Sequence, residues 1–252
     1  MQAVILAAGR GSRLGARTDE IPKGMVTLQD RPFLEWQHAA LRAAGIDDIT
    51  VITGYLGDVI AEHGFASLKN EQWNQGNMVS SLACALENLS GPLLISYSDI
   101  VYGADCVRKL LACTAPLALT YDPNWLELWS KRFDDPLSDA ETFRLSNDGL
   151  VTEIGGRTAS IGDIQGQFMG LIKLESEGRS WVEEVLRADP TARCSLDTTG
   201  LVQRLIKQGR TVTGVPIDSH WCEIDSLDDL AVAEGLIADG RLRFPGDERE
   251  DV

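Results

Sequence analysis

The chain has 252 residues with 44% hydrophobic content, enough to bury one α/β core, and its formal net charge is −15 at pH 7. We expect no DNA or RNA partner, because a phosphate backbone needs a basic face, and no membrane span or secretory signal, because the apolar runs are too short. Five cysteines, an odd number without a C-x-x-C pair, indicate a reduced, cytoplasmic setting.

The first element and the loop after it carry the strongest chemical signal. Residues 3–6 form a short apolar run that predicts a buried strand, and residues 6–15 (LAAGRGSRLG) form a loop with three glycines. Glycines let the backbone approach an anion, so that its N–H groups can surround phosphate oxygens. Arg10, Arg13 and Lys23 add positive charge within reach of a triphosphate. The alternative is an ordinary glycine-rich turn between a strand and a helix.

Two common nucleotide-binding motifs do not fit this loop. The dinucleotide motif G-x-G-x-x-G would need a glycine at the position of Leu14. The P-loop motif G-x-x-x-x-G-K-[ST] does not occur in the chain. If the loop binds phosphate, it does so in another way.

Strands and helices alternate after the loop. We predict helices at residues 33–44, 77–89 and 104–112, and strands at residues 49–53, 93–99 and 117–121. This alternation predicts a Rossmann-like α/β fold, a mostly parallel sheet with helices on both faces. Ligands of such sheets bind at the carboxyl ends of the strands, where we expect the glycine-rich loop, Gly54-Tyr55 and Asp99.

Polar side chains at two strand or helix ends are candidates for substrate contacts. Asn77, Ser80 and Ser81 begin a helix, where they could read a base edge or a ribose, although helix capping is the alternative. We expect Asp99 to end a buried strand and to face the glycine-rich loop, although a capping aspartate is the alternative. A carboxylate there suits Mg²⁺, which takes few hard oxygen ligands and completes its shell with substrate phosphates. Asp225, near a second strand end, is the other carboxylate of interest.

The composition changes at residues 121–160. Trp125 and Trp129 lie four residues apart, on one face if the segment is helical, and several carboxylates follow. Asn-Asp-Gly at residues 147–149 predicts a hairpin between residues 141–146 and 150–154. We interpret this insertion as a small lid or acceptor-binding hairpin region. The regular pattern resumes with a strand at residues 167–174, and the charged end from residue 240 is expected to fray.

The opening stretch resembles the signature of nucleotidyltransferases that activate phosphorylated small molecules, L-A-A-G-x-G-[ST]-R-L followed by P-K. Residues 6–14 match its first part and residues 22–23 its second. Asp99 and Asp225 fall where these enzymes place metal-binding aspartates. The middle, with Asn77, Trp129, Arg132 and the Asp-Ala-Glu of residues 139–141, looks closest to bacterial phosphocholine cytidylyltransferases and related aminoethylphosphonate cytidylyltransferases.

The resemblance implies one nucleotidyltransferase domain over residues 1–252, with an acceptor-binding insertion at about residues 121–160. The implied reaction is Mg²⁺-dependent transfer of a cytidylyl group from CTP to a phosphate or phosphonate acceptor, with release of pyrophosphate. A phosphomonoester has a second pKa of about 6, so no general base is needed. Lys23 would contact the α-phosphate, Arg13 the outgoing pyrophosphate, and Asp99 and Asp225 the metal. The implied nucleotide-binding residues are Leu6, Ala7, Ala8, Gly9, Arg10, Gly11, Ser12, Asn77 and Ser81.

The acceptor is expected to be small and zwitterionic, with a cationic end. Aromatic faces of Tyr121, Trp125 and Trp129 could surround the cation, each contact contributing roughly 0.5–2 kcal/mol. A quaternary ammonium favours such a cage, whereas a primary ammonium needs hydrogen-bond acceptors, and the sequence does not separate the two. Core tryptophans and solvated carboxylates are the alternative. The predicted acceptor-binding residues are Tyr102, Trp125, Trp129, Arg132, Asp139, Glu141, Glu153 and Lys173.

Two other functions are compatible with the same motifs. A sugar-1-phosphate nucleotidyltransferase would share the opening signature and both aspartates. A regulatory relative could keep the fold without catalysis, but it would have no physical need for the intact set of Gly11, Arg13, Lys23, Asp99 and Asp225. The sequence leaves the oligomeric state open, and a homodimer is one assembly that we consider.

Overall fold

The computed structural model describes residues 1–218 and 220–243, so the expected fraying beyond residue 240 lies mostly outside the described residues. The strands are β1 (Gln2–Ala7), β2 (Thr27–Leu28), β3 (Arg31–Pro32), β4 (Ile49–Thr53), β5 (Ser67–Lys69), β6 (Leu93–Tyr97), β7 (Ile100–Tyr102), β8 (Leu117–Asp122), β9 (Phe143–Leu145), β10 (Val151–Ile154), β11 (Gln167–Leu174), β12 (Thr213–Pro216) and β13 (Trp221–Glu223).

The helices follow the predicted alternation. They are α1 (Phe33–Ala43), α2 (Gly57–Glu62), α3 (Met78–Asn88), α4 (Ala104–Ala112), α5 (Trp125–Arg132), α6 (Ser176–Ala188), α7 (Ala192–Ser195), α8 (Thr198–Lys207) and α9 (Leu227–Ala238). Short 3₁₀ turns cover Ser12–Thr18, Lys23–Met25, Pro136–Ser138 and Ile161–Asp163. None of the helices in the described part of the chain is long and apolar enough to cross a membrane.

A seven-stranded sheet in the order β12-β8-β11-β6-β1-β4-β5 forms the centre. Every neighbouring pair is parallel except those of β11, which runs antiparallel to both β6 and β8. Helices cover both faces of the sheet, because alternate residues of each central strand point to opposite sides. In β1, Ala3 and Ile5 belong to one apolar core, and Val4 and Leu6 belong to the other. The predicted Rossmann-like, mostly parallel sheet is confirmed.

The direction of β11 corrects one expectation about the site. Lys173 is paired with Leu94 and Ala118, at the start of β6 and β8, so it lies at the edge opposite the expected ligand-binding edge. Its side chain is buried and contacts the carbonyl oxygen of Cys113 and, at 3.1 Å, the carboxylate of Glu175. The prediction that Lys173 binds the acceptor was therefore wrong. It assumed a parallel strand.

A small antiparallel ribbon brings the two candidate aspartates together. Strand β7 directly follows Asp99, and β13 shortly precedes Asp225, and the two strands pair so that Ile100 lies opposite Glu223. The backbone N–H of Ile224 donates a hydrogen bond to the carbonyl oxygen of Asp99 at 2.8 Å. Segments more than a hundred residues apart in sequence are thus fixed side by side.

The segment after β8 contains one helix and the predicted hairpin. Strands β9 and β10 pair antiparallel, and the hairpin is attached to α8 by a hydrogen bond of 2.9 Å from the Ile154 N–H to the side-chain oxygen of Gln203. Helix α5 packs against α9. The insertion therefore lies against the helices that flank the ligand-binding edge of the sheet.

Two glycines in helices give a matched test of how α6 packs on β8. A methyl group at Gly178 in α6 would collide with the backbone carbonyl of Pro116, whereas one at Gly235 in α9 would meet nothing within 4 Å. We expect Gly178→Ala to destabilise the protein by about 1–3 kcal/mol. Gly235→Ala should stabilise it by up to about 1 kcal/mol, because alanine is the better helix former. Urea unfolding checks both, and equal midpoints for the two variants would contradict the packing of α6 on β8.

Candidate active site

The centre of the site is one lysine shared by two aspartates. The Lys23 ammonium lies 3.0 Å from Oδ2 of Asp99 and also contacts Oδ1 of Asp225. The guanidinium of Arg13 lies 2.8 Å from Oδ2 of Asp225. Because one ammonium touches both carboxylates, the two aspartates converge on a single point.

Lys23 can take this position because the glycine beside it has no side chain. Gly11 has φ of +70°, in the left-handed region that favours glycine, and a methyl group there would lie 2.6 Å from Cβ of Lys23. The lysine side chain therefore passes over the glycine-rich loop at a distance that no other residue type permits. The 3₁₀ turn Lys23–Met25 then leads to β2, which pairs with β3 outside the central sheet.

The charge of Lys23 is maintained by its partners. Burial lowers the pKa of this ammonium, but the Asp99 and Asp225 carboxylates outweigh that effect, and the resulting pKa lies above the ordinary value of 10.5. Lys23 is therefore cationic at neutral pH. Arg13 is different, because 67% of its side chain is exposed and it can follow a departing anion.

The same aspartates fit a divalent cation. Oδ1 of Asp99 is buried and has no hydrogen-bond partner among the described residues, so a hard oxygen ligand is available. Within residues 1–218 and 220–243, no group of three or more His, Cys, Asp or Glu side chains is arranged to hold a metal ion alone. Asp99 and Asp225 would therefore hold Mg²⁺ together with oxygens of a bound substrate, as Mg²⁺ commonly is held.

Arg132 does not reach the cavity, which corrects its predicted role as an acceptor-binding residue. Its guanidinium is buried and donates to Asp229 at 2.8 Å and to Glu223 at 2.6 Å. Burial lowers the pKa of Arg132, but these two carboxylates raise it above its ordinary value. Asp229 also accepts the backbone N–H groups of Asp225 at 3.0 Å and Ser226 at 2.9 Å. Arg132 thus helps to fix the loop that carries Asp225.

A cavity of about 340 Å³ opens beside the two aspartates. It is lined by Arg13, Met78, Tyr97, Asp99, Trp129, Asp139, Glu141, Thr142, Phe143, Ile154, Arg157, Gln167, Phe168, Asp197, Thr198, Thr199, Glu223 and Asp225. Of the predicted acceptor-binding residues, Trp129, Asp139 and Glu141 lie in this lining. Their proximity to Asp99 is a structural fact, and their binding role stays a prediction.

Three further acceptor-binding predictions are not supported by the positions of the side chains. Tyr102 is fully buried and its hydroxyl donates to Ser96 at 3.0 Å. Trp125 is buried and its indole N–H donates to the carbonyl oxygen of Ile164 at 3.3 Å. Glu153 lies outside the cavity lining, half-exposed and 3.4 Å from Arg144. The two tryptophans of α5 do share a face that packs into the core, and only Trp129 also borders the cavity.

The predicted nucleotide loop is part buried and part open. Leu6, Ala7 and Ala8 are buried, whereas Gly9, Arg10 and Ser12 are exposed, and Gly11 is half-buried. Arg10 pairs with Asp19 at 2.8 Å and lies over the ring of Tyr55. The Tyr55 N–H donates to the carbonyl oxygen of Ala8 at 3.0 Å, which ties the expected second turn to this loop.

The polar residues at the start of α3 are already engaged. The side-chain oxygen of Asn77 accepts the N–H of Val79 at 3.1 Å, so its capping alternative is what the structure contains. Ser81 is buried and its hydroxyl accepts a hydrogen bond of 3.3 Å from the amide of Asn70. Reading of the base by the Ser81 side chain is therefore not supported.

Several cavity residues were not predicted from the sequence. Tyr97, Arg157, Gln167, Asp197 and Thr198 all face the cavity. Asp197 caps α8, and that capping was the only signal visible in the sequence. Gln167 would have been found if the antiparallel direction of β11 had been known, since it begins that strand at the ligand-binding edge.

Comparison with known proteins shows that the chain is similar to nucleotidyltransferases. Residues 3–139 match the family model described as MobA-like NTP transferase domain. CTP:phosphoglutamine cytidylyltransferase of Campylobacter jejuni is 37% identical over 92% of this chain and 98% of its own length. UTP–glucose-1-phosphate uridylyltransferase of Haloferax volcanii is 29% identical over 93% of this chain and 95% of its own.

The fold is also similar to that of a solved structure. The CTP:phosphocholine cytidylyltransferase of Streptococcus pneumoniae superposes with a TM-score of 0.73 at 21% identity, covering 94% of this chain and 98% of that one. At that identity the likeness concerns the fold. It agrees with the sheet and helices described above.

The buried position of Arg132 can be tested by stability. Arg132→Ala would leave Glu223 and Asp229 without their cation, and we expect it to lower the free energy of unfolding by about 3–5 kcal/mol. Arg144, whose partners Glu153 and Asp163 are half-exposed, is the control, and Arg144→Ala should cost less than about 1 kcal/mol. Urea denaturation of both variants is the measurement. A small, equal loss in both would show that Arg132 is not a buried structural cation.

Proposed function

The chain belongs to the MobA-like NTP transferase family, and from that premise we propose that it transfers a cytidylyl group from CTP to a small phosphorylated or phosphonate acceptor with a cationic end. The family assignment confirms the resemblance seen in the sequence, and the enzymatic class is that of nucleotidyltransferases. The choice of CTP is supported by the Campylobacter relative, which is similar over nearly the whole chain.

The observation that carries the proposal is the convergence of Lys23, Asp99 and Asp225 at one point. Transfer to a phosphate oxygen requires that negative charge on the donor, the acceptor and the leaving group be balanced in one place. An ammonium between two carboxylates, one of which has a free buried oxygen, offers both a cation and ligands for another cation. A purely structural ion pair has no need of that free oxygen.

The chain's own residues account for most of the reaction. An acceptor oxygen attacks the α-phosphorus of CTP and the bond to the β-phosphate oxygen breaks, so that pyrophosphate leaves. Lys23 would hold the α-phosphate and oppose the charge that develops there, and Arg13 would follow the pyrophosphate. Mg²⁺ bound by Asp99 and Asp225 would supply further charge neutralisation. No proton has to be removed from a dianionic phosphate, so the step needs no general base on the protein.

We include three further points in the proposal. Residues 1–252 act as one nucleotidyltransferase domain, in which the insertion at about residues 121–160 supplies acceptor-binding groups. The cavity carboxylates Asp139 and Glu141 favour an acceptor with a cationic end over a sugar phosphate, whose sugar end is neutral. The Haloferax relative is named for a sugar phosphate, glucose-1-phosphate. The enzyme works in the cytoplasm, a setting compatible with its five free cysteines.

Removal of either aspartate tests the metal site. We expect Asp99→Asn and Asp225→Asn to lower turnover by at least about 100-fold, because each removes a ligand and a charge from the reacting centre. Asp105→Asn, at an exposed position of α4, is the matched control and should leave turnover unchanged. Pyrophosphate release from CTP is measured in the presence of Mg²⁺, with phosphocholine, aminoethylphosphonate and glucose-1-phosphate as acceptors. Full activity of Asp99→Asn would refute the assignment.

Lys23 can be tested by separating binding from chemistry. If Lys23 meets charge that develops in the transition state, Lys23→Ala should lower kcat much more than it weakens CTP binding. Lys69→Ala, at an exposed site, serves as the control. Steady-state kinetics combined with calorimetric binding of CTP gives both quantities. A change confined to KM for CTP would leave Lys23 as an ordinary ground-state contact.

A further inference from the structure

Besides the two central aspartates, the cavity lining carries further charges of both signs. Asp139, Glu141 and Asp197 contribute carboxylates, and Arg157 contributes a guanidinium. Phosphate chemistry uses none of these four groups, because Lys23, Arg13 and the two central aspartates account for it. The question is which acceptor would need them all.

Glu141 is held in place as a built part of the site. The side-chain amide of Gln167 accepts the backbone N–H of Glu141 at 3.2 Å and donates to its carbonyl oxygen at 2.6 Å. Gln167 itself is buried, with 5% of its surface exposed. A buried amide that binds both the N–H and the carbonyl oxygen of Glu141 fixes the backbone that carries this side chain in the cavity lining.

Asp197 lines the same cavity as Glu141, and one of its carboxylate oxygens accepts no hydrogen bond from the described residues. Both hydrogen bonds that its carboxylate accepts end on Oδ1, from the Gly200 N–H at 2.7 Å and from the Thr199 hydroxyl at 3.3 Å. Burial and the charge of Asp197 raise the pKa of Glu141, so the two carboxylates are close enough to repel each other. An ammonium between them would relieve that repulsion.

A buried hydroxyl adds to the lining of the cavity. Thr198 is 3% exposed and lines the cavity beside Tyr97. Burial raises the pKa of the Tyr97 phenol, and the nearby Thr198 hydroxyl opposes that rise. No hydrogen bond of ordinary geometry satisfies the Thr198 hydroxyl within the described residues, so it is available to a ligand in the cavity. It can accept from an ammonium or donate to a carboxylate.

Arg157 is the cation that a simple amine acceptor would not require. One of its terminal nitrogens donates to the carbonyl oxygens of Ser138 at 3.3 Å and Asp139 at 3.0 Å. In the described part of the chain its other guanidinium nitrogens make no hydrogen bond, and no carboxylate lies within ion-pair distance. A guanidinium anchored by one nitrogen presents its remaining donors for a bidentate carboxylate.

The aromatic cage predicted from the sequence is not formed. Trp129 lines the cavity, but only 3% of its surface is exposed and its indole N–H donates to Asp139 at 3.1 Å. Trp125 is buried in the core, and Tyr121 stacks on Phe143. Of the other aromatic residues in the lining, Phe143 is 1% exposed, and Tyr97 and Phe168 pack edge to face. A cage needs open aromatic faces around the cation, whereas the carboxylates of Glu141 and Asp197 are hydrogen-bond acceptors, which suit a primary ammonium.

We propose that the acceptor ends in an amino-acid head group, with its primary ammonium held between Glu141 and Asp197 and its carboxylate held by Arg157. This inference rests on the proposed transfer reaction and deepens it, since it names the class of acceptor. The phosphate or phosphonate at the other end of the acceptor would face Lys23 and the central aspartates. Opposite ends of one cavity would thus bind opposite ends of one zwitterionic molecule.

The test uses pairs of acceptors that differ only by a carboxylate. O-phosphoserine is compared with O-phosphoethanolamine, and 2-amino-4-phosphonobutyrate with 3-aminopropylphosphonate, with phosphocholine as the quaternary probe. At the spacer length that gives the highest kcat/KM, we expect the carboxylated member to exceed its partner by roughly 10- to 100-fold, the usual range for one charge-assisted hydrogen-bonded pair. Phosphocholine should be a worse acceptor than O-phosphoethanolamine.

Variants assign the two halves of the head group. Arg157→Gln should lower kcat/KM only for the carboxylated member of each pair. The ratio of its kcat/KM to that of its partner should therefore fall to about 1. Glu141→Gln should raise KM for every amine-bearing acceptor. In both variants KM for CTP should stay unchanged. Arg144→Gln, at a half-exposed arginine of the hairpin outside the cavity lining, is the control and should keep the full ratio.

The outcomes separate this inference from the proposed reaction. Equal use of both members of every pair, an unchanged ratio in Arg157→Gln, or a preference for phosphocholine would overturn the head-group assignment while leaving cytidylyl transfer intact. If pyrophosphate is released with none of the acceptors, the binding of the same acceptor pairs is measured by calorimetry to test the head-group assignment. Tighter, Arg157-dependent binding of the carboxylated member would support the head group and contradict the reaction. Equal binding would overturn the head group as well.

Discussion

The sharing of one ammonium by two carboxylates is the constraint on which the rest of the site depends. Asp99 and Asp225 would repel each other if they were brought together alone, and Lys23 makes their convergence tolerable. The surrounding structure serves that contact. The β7–β13 ribbon sets the two aspartates side by side, and Gly11 gives the lysine room to pass over the loop. The same contact keeps Lys23 charged in a buried place, where an isolated lysine would tend to lose its proton.

Charges of both signs line the cavity, which suits the zwitterionic acceptor proposed above. The lining combines several carboxylates, among them Asp139 and Glu141, with the guanidinium groups of Arg13 and Arg157. Arg132 connects the predicted acceptor-binding insertion with the Asp225 loop, because it is carried by α5 and pairs with Asp229, which accepts the backbone N–H of Asp225. A buried ion pair thus holds these two segments together.

Local patterns in the sequence were sufficient for most elements, but not for the surroundings of the cavity. The strand at Ile49–Thr53 was predicted with its observed bounds. Lys23 and Asp99 were selected from the family signature and from a position at a strand end, and the structure brings them into contact, whereas their roles stay predictions. The direction of β11 could not be predicted, since a buried antiparallel strand has the same apolar run as a parallel one, and Lys173 was misplaced as a result. The spacing of the tryptophans shows that they share a helix face but not which side that face is turned to. Arg157 belongs to no motif and reaches the cavity only through tertiary packing.

The proposed reaction is a direct attack on the α-phosphorus with no covalent intermediate on the protein, and its stereochemical course can be measured. CTP with sulfur at the α-phosphorus is chiral at the reacting atom, so transfer from its Sp diastereomer records the number of displacements. The configuration of the product is determined by phosphorus NMR. One in-line displacement at the Lys23, Asp99 and Asp225 cluster requires inversion. Retention would require two displacements and hence a nucleophile on the protein, and it would contradict the mechanism proposed for this site.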